Sequence, residues 1–173
     1  SKKFYSYFCT KSNKNYGILW DNNSRTKLGD IRDFQSIDGL KLYDKAGEEG
    51  GLTAEYFKDI DCNSLYVSQK ESRIEHEFID VNDEYPEGFP DNVKAIRWSG
   101  EIECNEPGIH KFRLYCSGYT KMWLNDELIV DSWRQNWLPW THLPKLNMEN
   151  GKRYRIKIEW IHIGGYLGLK YLP

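Results

Sequence analysis

From Ala95 to the end of the chain, apolar and polar residues alternate with a period of two, and no other feature narrows the possible folds so far. Ile96, Trp98, Ile102 and Cys104 fall on one side of a segment whose other side carries Arg97, Ser99, Glu101 and Glu103. Successive side chains of an extended strand point to opposite faces, so this spacing predicts a strand with one face buried and one in water. Residues 110–116 repeat the pattern with Phe112, Leu114 and Cys116 inward, and Met122 and Leu124 continue it. In 153–160, Tyr154, Ile156, Ile158 and Trp160 oppose Arg153, Arg155, Lys157 and Glu159. Asn125-Asp126, Asn150-Gly151 and Gly164-Gly165 supply turns, and 166–172 makes a last strand. No segment beyond Leu40 keeps a helical period. Residues 48–173 therefore read as an all-β, antiparallel sandwich.

The turn Glu106-Pro107-Gly108 is expected to fold two of these strands into a hairpin, with Cys104 opposite Lys111 rather than Cys116. Four cysteines, Cys9, Cys62, Cys104 and Cys116, have neither the density of a disulfide framework nor a CxxC spacing, and they read as free thiols. The first 47 residues differ in character. Polar stretches at 11–15 and 21–25 bracket a short apolar strand, Tyr16 to Trp20, and 44–51 (Asp-Lys-Ala-Gly-Glu-Glu-Gly-Gly) has the composition of a linker. The expected division is 1–47 and 48–173. The front part offers two or three short strands, too few to bury a core alone.

A chain of 173 residues suits one domain, or one domain and part of a second. Its net charge of −2 gives no basic field for a phosphate backbone, so nucleic acid is not the expected partner. No apolar run approaches the roughly 20 residues of a membrane span. The chain begins with Ser1 rather than Met and shows no signal sequence, which suggests a processed protein or a fragment of a larger one.

Residues 131–140 concentrate the recognition chemistry: Trp133, Trp137 and Trp140 stand with Arg134, Gln135 and Asn136 between two strand segments. Indole faces stack on the apolar C–H faces of pyranose rings, and Arg, Gln and Asn donate and accept the hydrogen bonds that ring hydroxyls require. Large aromatics also fill sandwich cores, so each indole has two possible uses. Exposure along one surface favours binding; burial favours a structural or subunit-contact role.

Gly51-Leu52-Thr53-Ala54-Glu55-Tyr56-Phe57, Ile96-Arg97-Trp98-Ser99-Gly100, Pro107-Gly108 with Phe112, Met122-Trp123-Leu124-Asn125-Asp126 and Gly151-Lys152-Arg153-Tyr154 resemble, in order and at sensible spacing, the protective-antigen-type domain. The resemblance covers about 51–173 and implies a β-sandwich of the kind found in toxins, adhesins and, as an insertion, in glycoside hydrolases, commonly with a carbohydrate-recognition role. Residues 14–22 (Lys-Asn-Tyr-Gly-Ile-Leu-Trp-Asp-Asn) look like the N-terminal β-sandwich of α-xylosidases and α-glucosidases, which makes 1–47 a fragment of that host domain plus a linker. Trp133-Arg134-Gln135-Asn136-Trp137 and the ending 158–165 are similar to the version inserted in α-xylosidases acting on xyloglucan-type side chains. The implied partners are an oligosaccharide or polysaccharide and a parent catalytic domain, in a bacterial periplasmic or extracellular setting.

Sugar-binding relatives in yeast adhesins hold calcium with adjacent aspartates; Ser117 and Gly118 stand at those positions, so no calcium site, no other metal and no cofactor is carried over. Tyr119 follows where the family often has glycine. With Lys121 it joins the six loop residues as a candidate sugar contact. Glycosidase chemistry needs two carboxylates set across the scissile bond, but Glu101, Glu103 and Glu159 lie on wet strand faces, and a catalytic barrel exceeds this length. His76, His110, His142 and His162 show no metal-ligand spacing. The expected function is non-catalytic carbohydrate recognition, with a structural spacer as the alternative.

Overall fold

The computed structural model describes residues 34–79, 85–89, 95–135, 137–161 and 163–172 with their side chains, and the backbone of three further strands near the start. Those three, β1 (Lys2–Cys9), β2 (Lys14–Asp21) and β3 (Thr26–Asp30), form a small antiparallel sheet in the order β1-β2-β3. Everything else builds a sandwich of two antiparallel sheets.

The larger sheet runs β12 (Glu127–Trp133), β11 (Tyr119–Leu124), β15 (Arg153–Ile161), β9 (Ala95–Glu103), β6 (Leu52–Phe57), β7 (Leu65–Glu71), and β5 (Lys41–Tyr43) pairs with β9 beyond the end of β6. The second runs β13 (Trp140–His142), β10 (Gly108–Cys116), β16 (Tyr166–Leu172), β4 (Gln35–Ser36). Here β14 (Lys145–Met148) joins the edge of β10, and β8 (Ile74–Glu77) joins β16. The inward residues are those the alternation selects: Ile96, Trp98 and Ile102, Phe112, Leu114 and Cys116, Met122 and Leu124, and Tyr154, Ile156, Ile158 and Trp160 are all buried. Burial of each large apolar side chain contributes about 1.5–3 kcal/mol, so this face supplies most of the driving force for folding.

Two indoles anchor that core, and each has a partner for its N–H. Trp98 Nε1 donates to Glu71 Oε1 at 2.9 Å and Trp160 Nε1 to the Ser117 carbonyl at 2.8 Å. Glu71 also accepts from the Tyr56 hydroxyl at 2.6 Å. The ring of His76 lies beside both indoles, 5.7 Å from Trp98 and 6.2 Å from Trp160.

Two expectations are corrected. The segment after Cys104 is not a hairpin turn: β9 and β10 belong to different sheets, and 104–107 arches between them. Lys111 pairs with Lys145 and Leu172, while the Cys104 thiol donates to the Glu149 carbonyl at 3.5 Å. Alternation reveals that a strand has one dry face but not which sheet it joins. Asn125-Asp126, by contrast, makes a true two-residue hairpin, both residues having positive φ (49° and 66°) as a type I′ turn requires.

Residues 44–51 are likewise a closed turn and not a linker. The Asp44 carboxylate accepts the N–H groups of Ala46 and Glu48, both at 2.9 Å, and Gly50 N–H returns to the Leu42 carbonyl. These hydrogen bonds hold Asp44 in its charged form and pull its pKa below the usual carboxylate value. The turn brings β5 and β6 side by side along β9. Where Gly100 of β9 passes Tyr43, a Cβ would sit 2.0 Å from the Tyr43 carbonyl oxygen, so only glycine fits. Residues 34–43 thus share the sheets and the core of the downstream strands: Ile37, Leu40 and Leu42 are buried with the main cluster.

Removing 1–33 should leave a cooperatively folding sandwich, whereas removing 1–47 strips three buried aliphatic side chains and two paired strands and should cost several kcal/mol. Urea denaturation of the two truncated chains measures the difference. Equal midpoints would show that 34–43 adds nothing to the core.

Candidate functional site

Three connections between the sheets meet at one end of the sandwich: those from β10 to β11, from β12 to β13 and from β15 to β16. Ser117 ties them together. Its N–H donates to the Tyr166 carbonyl (2.9 Å), its hydroxyl donates to the Gly164 carbonyl (2.7 Å) and accepts from the Tyr166 N–H (2.8 Å), and its carbonyl accepts from Trp160. Gly118, at φ +69°, turns the chain, and its carbonyl accepts the Arg134 N–H at 2.9 Å. The start of the tryptophan loop is therefore fastened to the same node.

From that anchor the loop rises. The Leu138 N–H closes a tight turn onto the Gln135 carbonyl (3.0 Å) and carries Trp137 at its crest. Trp133 ends β12 on the outer face of the larger sheet, directly across from Tyr119. Trp140 opens β13, across from Cys116. The three indoles are 68%, 67% and 48% exposed, against none for Trp98 and Trp160. The tryptophans at and beside the loop are exposed, and those on the inward strand faces are buried.

The Arg134 guanidinium lies 4.3 Å from the Trp140 ring centroid, and the Lys121 ammonium 5.3 Å from that of Tyr119. Such contacts are worth about 0.5–1 kcal/mol at exposed positions and fix the cation against the ring. Seven of the eight candidate residues, Tyr119, Lys121, Trp133, Arg134, Gln135, Trp137 and Trp140, are thus gathered at or beside one end of the sandwich. The eighth, Asn136, lies outside the described residues, as does His162, and of Cys9 only the backbone is described. His142, dismissed in the sequence, sits two residues from Trp140 with its Nε2 shielded and unpartnered among the described residues. Burial, reinforced by Arg134, lowers its pKa below the usual imidazole value. Cys62, Cys104 and Cys116 are free, and burial pushes Cys62 and Cys116 up to about 11, far from reactive thiolates.

No group of three or more potential metal-ligating side chains is gathered among the described residues. The arrangement presents rings and hydrogen-bonding groups, the means to hold a polyhydroxylated ligand by direct contact.

The PA14 domain model matches residues 48–171. The chain belongs to the PA14 domain family. It is similar to a segment of the GH31 alpha-xylosidase from Xanthomonas citri, at 38% identity and a TM-score of 0.75, covering 91% of this chain and 18% of that one. The anti-sigma-I factor RsgI3 of Acetivibrio thermocellus is 24% identical over 161 residues, 90% of this chain and 23% of the relative. The PA14 sugar-binding domain from an RTX adhesin shares the fold at 14% identity and a TM-score of 0.53, over 70% of this chain and 87% of that one. The chain thus spans about a fifth of the length of the first two relatives. No helix among the described residues is long and apolar enough to cross a membrane.

Ser117→Ala should cost roughly 1–3 kcal/mol, because it leaves the Tyr166 N–H and Gly164 carbonyl at the node unpaired. Ser117→Asp should cost more by burying a charge, and calcium should not restore it. Thermal unfolding with calcium or a chelator measures this. A calcium-dependent rise of several degrees in either chain would place the domain in the metal-assisted class.

Proposed function

We propose that this PA14 domain is a non-catalytic carbohydrate-recognition module of an α-xylosidase-type glycoside hydrolase, whose tryptophan loop holds xyloglucan-type or related oligosaccharides near the parent active site. The observation that carries the reading is the exposure of Trp133, Trp137 and Trp140 on one anchored loop, where each indole costs burial energy unless a ligand covers it. The 38% identity to a segment of an alpha-xylosidase supports the choice of host and of sugar. The same context supports a periplasmic or extracellular setting and a host-domain origin for the front of the chain, of which 34–43 pack into the sheets of the module.

In this reading Trp137 is the stacking platform at the crest, Trp133 with Tyr119 forms a second ring surface on the sheet face, and Trp140 is backed by Arg134. Gln135 and Asn136 supply amide donors and acceptors, and Lys121 a further donor. Stacking at open sites contributes modestly per ring, so the isolated module binds at roughly millimolar Kd, about −4 kcal/mol.

Titration of the 173-residue chain with branched, xylose-bearing glucan oligosaccharides should shift its tryptophan fluorescence, and Trp137→Ala should weaken binding several-fold with thermal stability unchanged. In a parent hydrolase the same substitution should lower kcat/KM for long oligosaccharides and spare a small aryl xyloside, since only the long substrate reaches the module. Equal losses on both substrates, or a chain that unfolds, would assign the indoles to structure or subunit contact.

A further inference from the structure

The outer face of the larger sheet carries a second concentration of unspent polar groups, away from the loop. There an open hollow of about 600 Å³ lies against the middle strands β9, β11 and β15. That volume falls within the range of small-molecule sites, roughly 300–1,000 Å³. Antiparallel register sets its floor: Lys157 stands between Trp123 on one neighbouring strand and Ser99 on the other, and Arg97 and Glu101 flank Ser99 along β9.

Asp44, Lys45, Arg97, Asp126 and Arg155 in the lining have charged partners, and Lys157 and Glu101 between them have none among the described residues. The Lys157 ammonium lies 4.2 Å from the Trp123 ring centroid and has no carboxylate partner among the described residues. Glu101 faces Arg155 across the ladder, yet Arg155 turns to Asp126 at 2.8 Å, leaving Glu101 without a hydrogen bond or ion pair among the described residues. Arg97 forms an ion pair with Glu159 at 3.7 Å and lies 5.2 Å from the Phe57 ring centroid, but its Nε makes no hydrogen bond among the described residues. Both Arg97 Nε and Ser99 Oγ are shielded from solvent without a hydrogen-bond partner among the described residues. Native structures leave few shielded polar atoms unpaired, and each costs about 1–3 kcal/mol, so two in the lining of one hollow, with an unpaired ammonium and carboxylate nearby, point to an occupant.

The chemistry of that occupant comes from the mixture. Donors (Lys157, Arg97), an acceptor (Glu101) and a hydroxyl that does both (Ser99) match ligand hydroxyls, each of which donates and accepts. Lys45, Arg97, Arg155 and Lys157 in the lining face Asp44, Glu101 and Asp126, so the charges nearly cancel and no strong field selects an anion. Trp123 supplies the apolar wall for ring C–H groups. We propose that this hollow is a second saccharide site that takes a neutral oligosaccharide, with Trp123, Lys157, Ser99, Arg97 and Glu101 as its contacts. It stands independently of the tryptophan loop. Tyr119 and Trp123 are four residues apart on the same face of β11, about 13 Å at the rise of a strand, so one extended glycan can pass from the loop end to the hollow.

The test uses the ¹⁵N-labelled 173-residue chain titrated separately with cellohexaose, a xyloglucan heptasaccharide and, as anionic control, trigalacturonate, each to about 20 mM, enough to reveal millimolar binding. Saturable shifts of the Trp123 indole N–H and of the Ser99, Gly100 and Lys157 amides are expected with at least one neutral probe. Those shifts should persist in Trp137→Ala and vanish in Trp123→Ala. Glu101→Gln, which breaks no interaction among the described residues, should weaken them several-fold while the spectrum stays dispersed, so the result does not depend on how well the tryptophan variant folds. Silence at these amides with both neutral probes, response to trigalacturonate alone, or loss of the Trp123 shifts in Trp137→Ala would overturn the proposal. Failure of the loop itself would show differently, as an unresponsive Trp137 beside a responsive Trp123.

Discussion

Ser117 is the node on which the functional end of this domain depends. A sandwich whose chain passes repeatedly between sheets needs its crossovers held together where no sheet ladder reaches, because backbone groups left unpaired there would each carry a desolvation cost. Ser117 meets that need with its N–H, its carbonyl and both capacities of its hydroxyl, joining 117–118 to the β15–β16 connection and to the indole of Trp160. Gly118 extends the node by one more hydrogen bond to Arg134, so the tryptophan loop is fixed through the backbone rather than by the indoles it displays. Anchoring and recognition are thereby separated: the rings can face outward because none of them is needed to hold the loop down.

That separation bears on the missing acidic pair. Aspartates here could hold a hard cation that orders the surrounding backbone and offers open coordination positions to sugar hydroxyls. A serine so engaged and fully buried offers a ligand no accessible oxygen and no negative charge, and a glycine has no side chain. The same two positions that could serve a metal are thus spent on internal hydrogen bonds. In the proposed reading, recognition falls to side chains on the neighbouring strands and loop, where stacking and hydrogen bonding replace coordination.

The inward faces of the later strands were legible from alternation alone, since Ile96, Trp98 and Ile102 or Tyr154, Ile156, Ile158 and Trp160 admit only one side to the core. The Asn125-Asp126 hairpin was legible because two successive left-handed residues are a local demand met by local chemistry. Sheet assignment was not. Glu106-Pro107-Gly108 suits a hairpin and an arch equally, and what decides between them is where β10 finds partners, in Leu172 and Lys145 far along the chain. Residues 44–51 misled for a related reason: glycines and charges read as a linker, but the Asp44 carboxylate closes the turn. Among candidate site residues the loop was visible by composition. Trp123 went unselected although it lies on the polar phase of β11 between the inward Met122 and Leu124, and that phase was itself the signal.

The six tryptophans described with their side chains divide between two in the core and four on the surface. An indole is buried without penalty only where its N–H finds an acceptor, and the core provides two: the Glu71 carboxylate for Trp98 and the Ser117 carbonyl for Trp160. Both acceptors serve other partners as well, Tyr56 and Gln69 at Glu71, Thr120 at Ser117, so those core positions are networks rather than isolated contacts. Outside, the rings of Trp123 and Trp140 carry cations against their faces instead, Lys157 and Arg134, which keeps a donor ready at the edge of each apolar surface. A ring paired with a donor is half of what a sugar requires; the hydrogen-bonding groups around it supply the other half. The outer surface therefore sets an apolar ring beside a hydrogen-bonding cation at two places on the sandwich, at Trp140 with Arg134 and at Trp123 with Lys157.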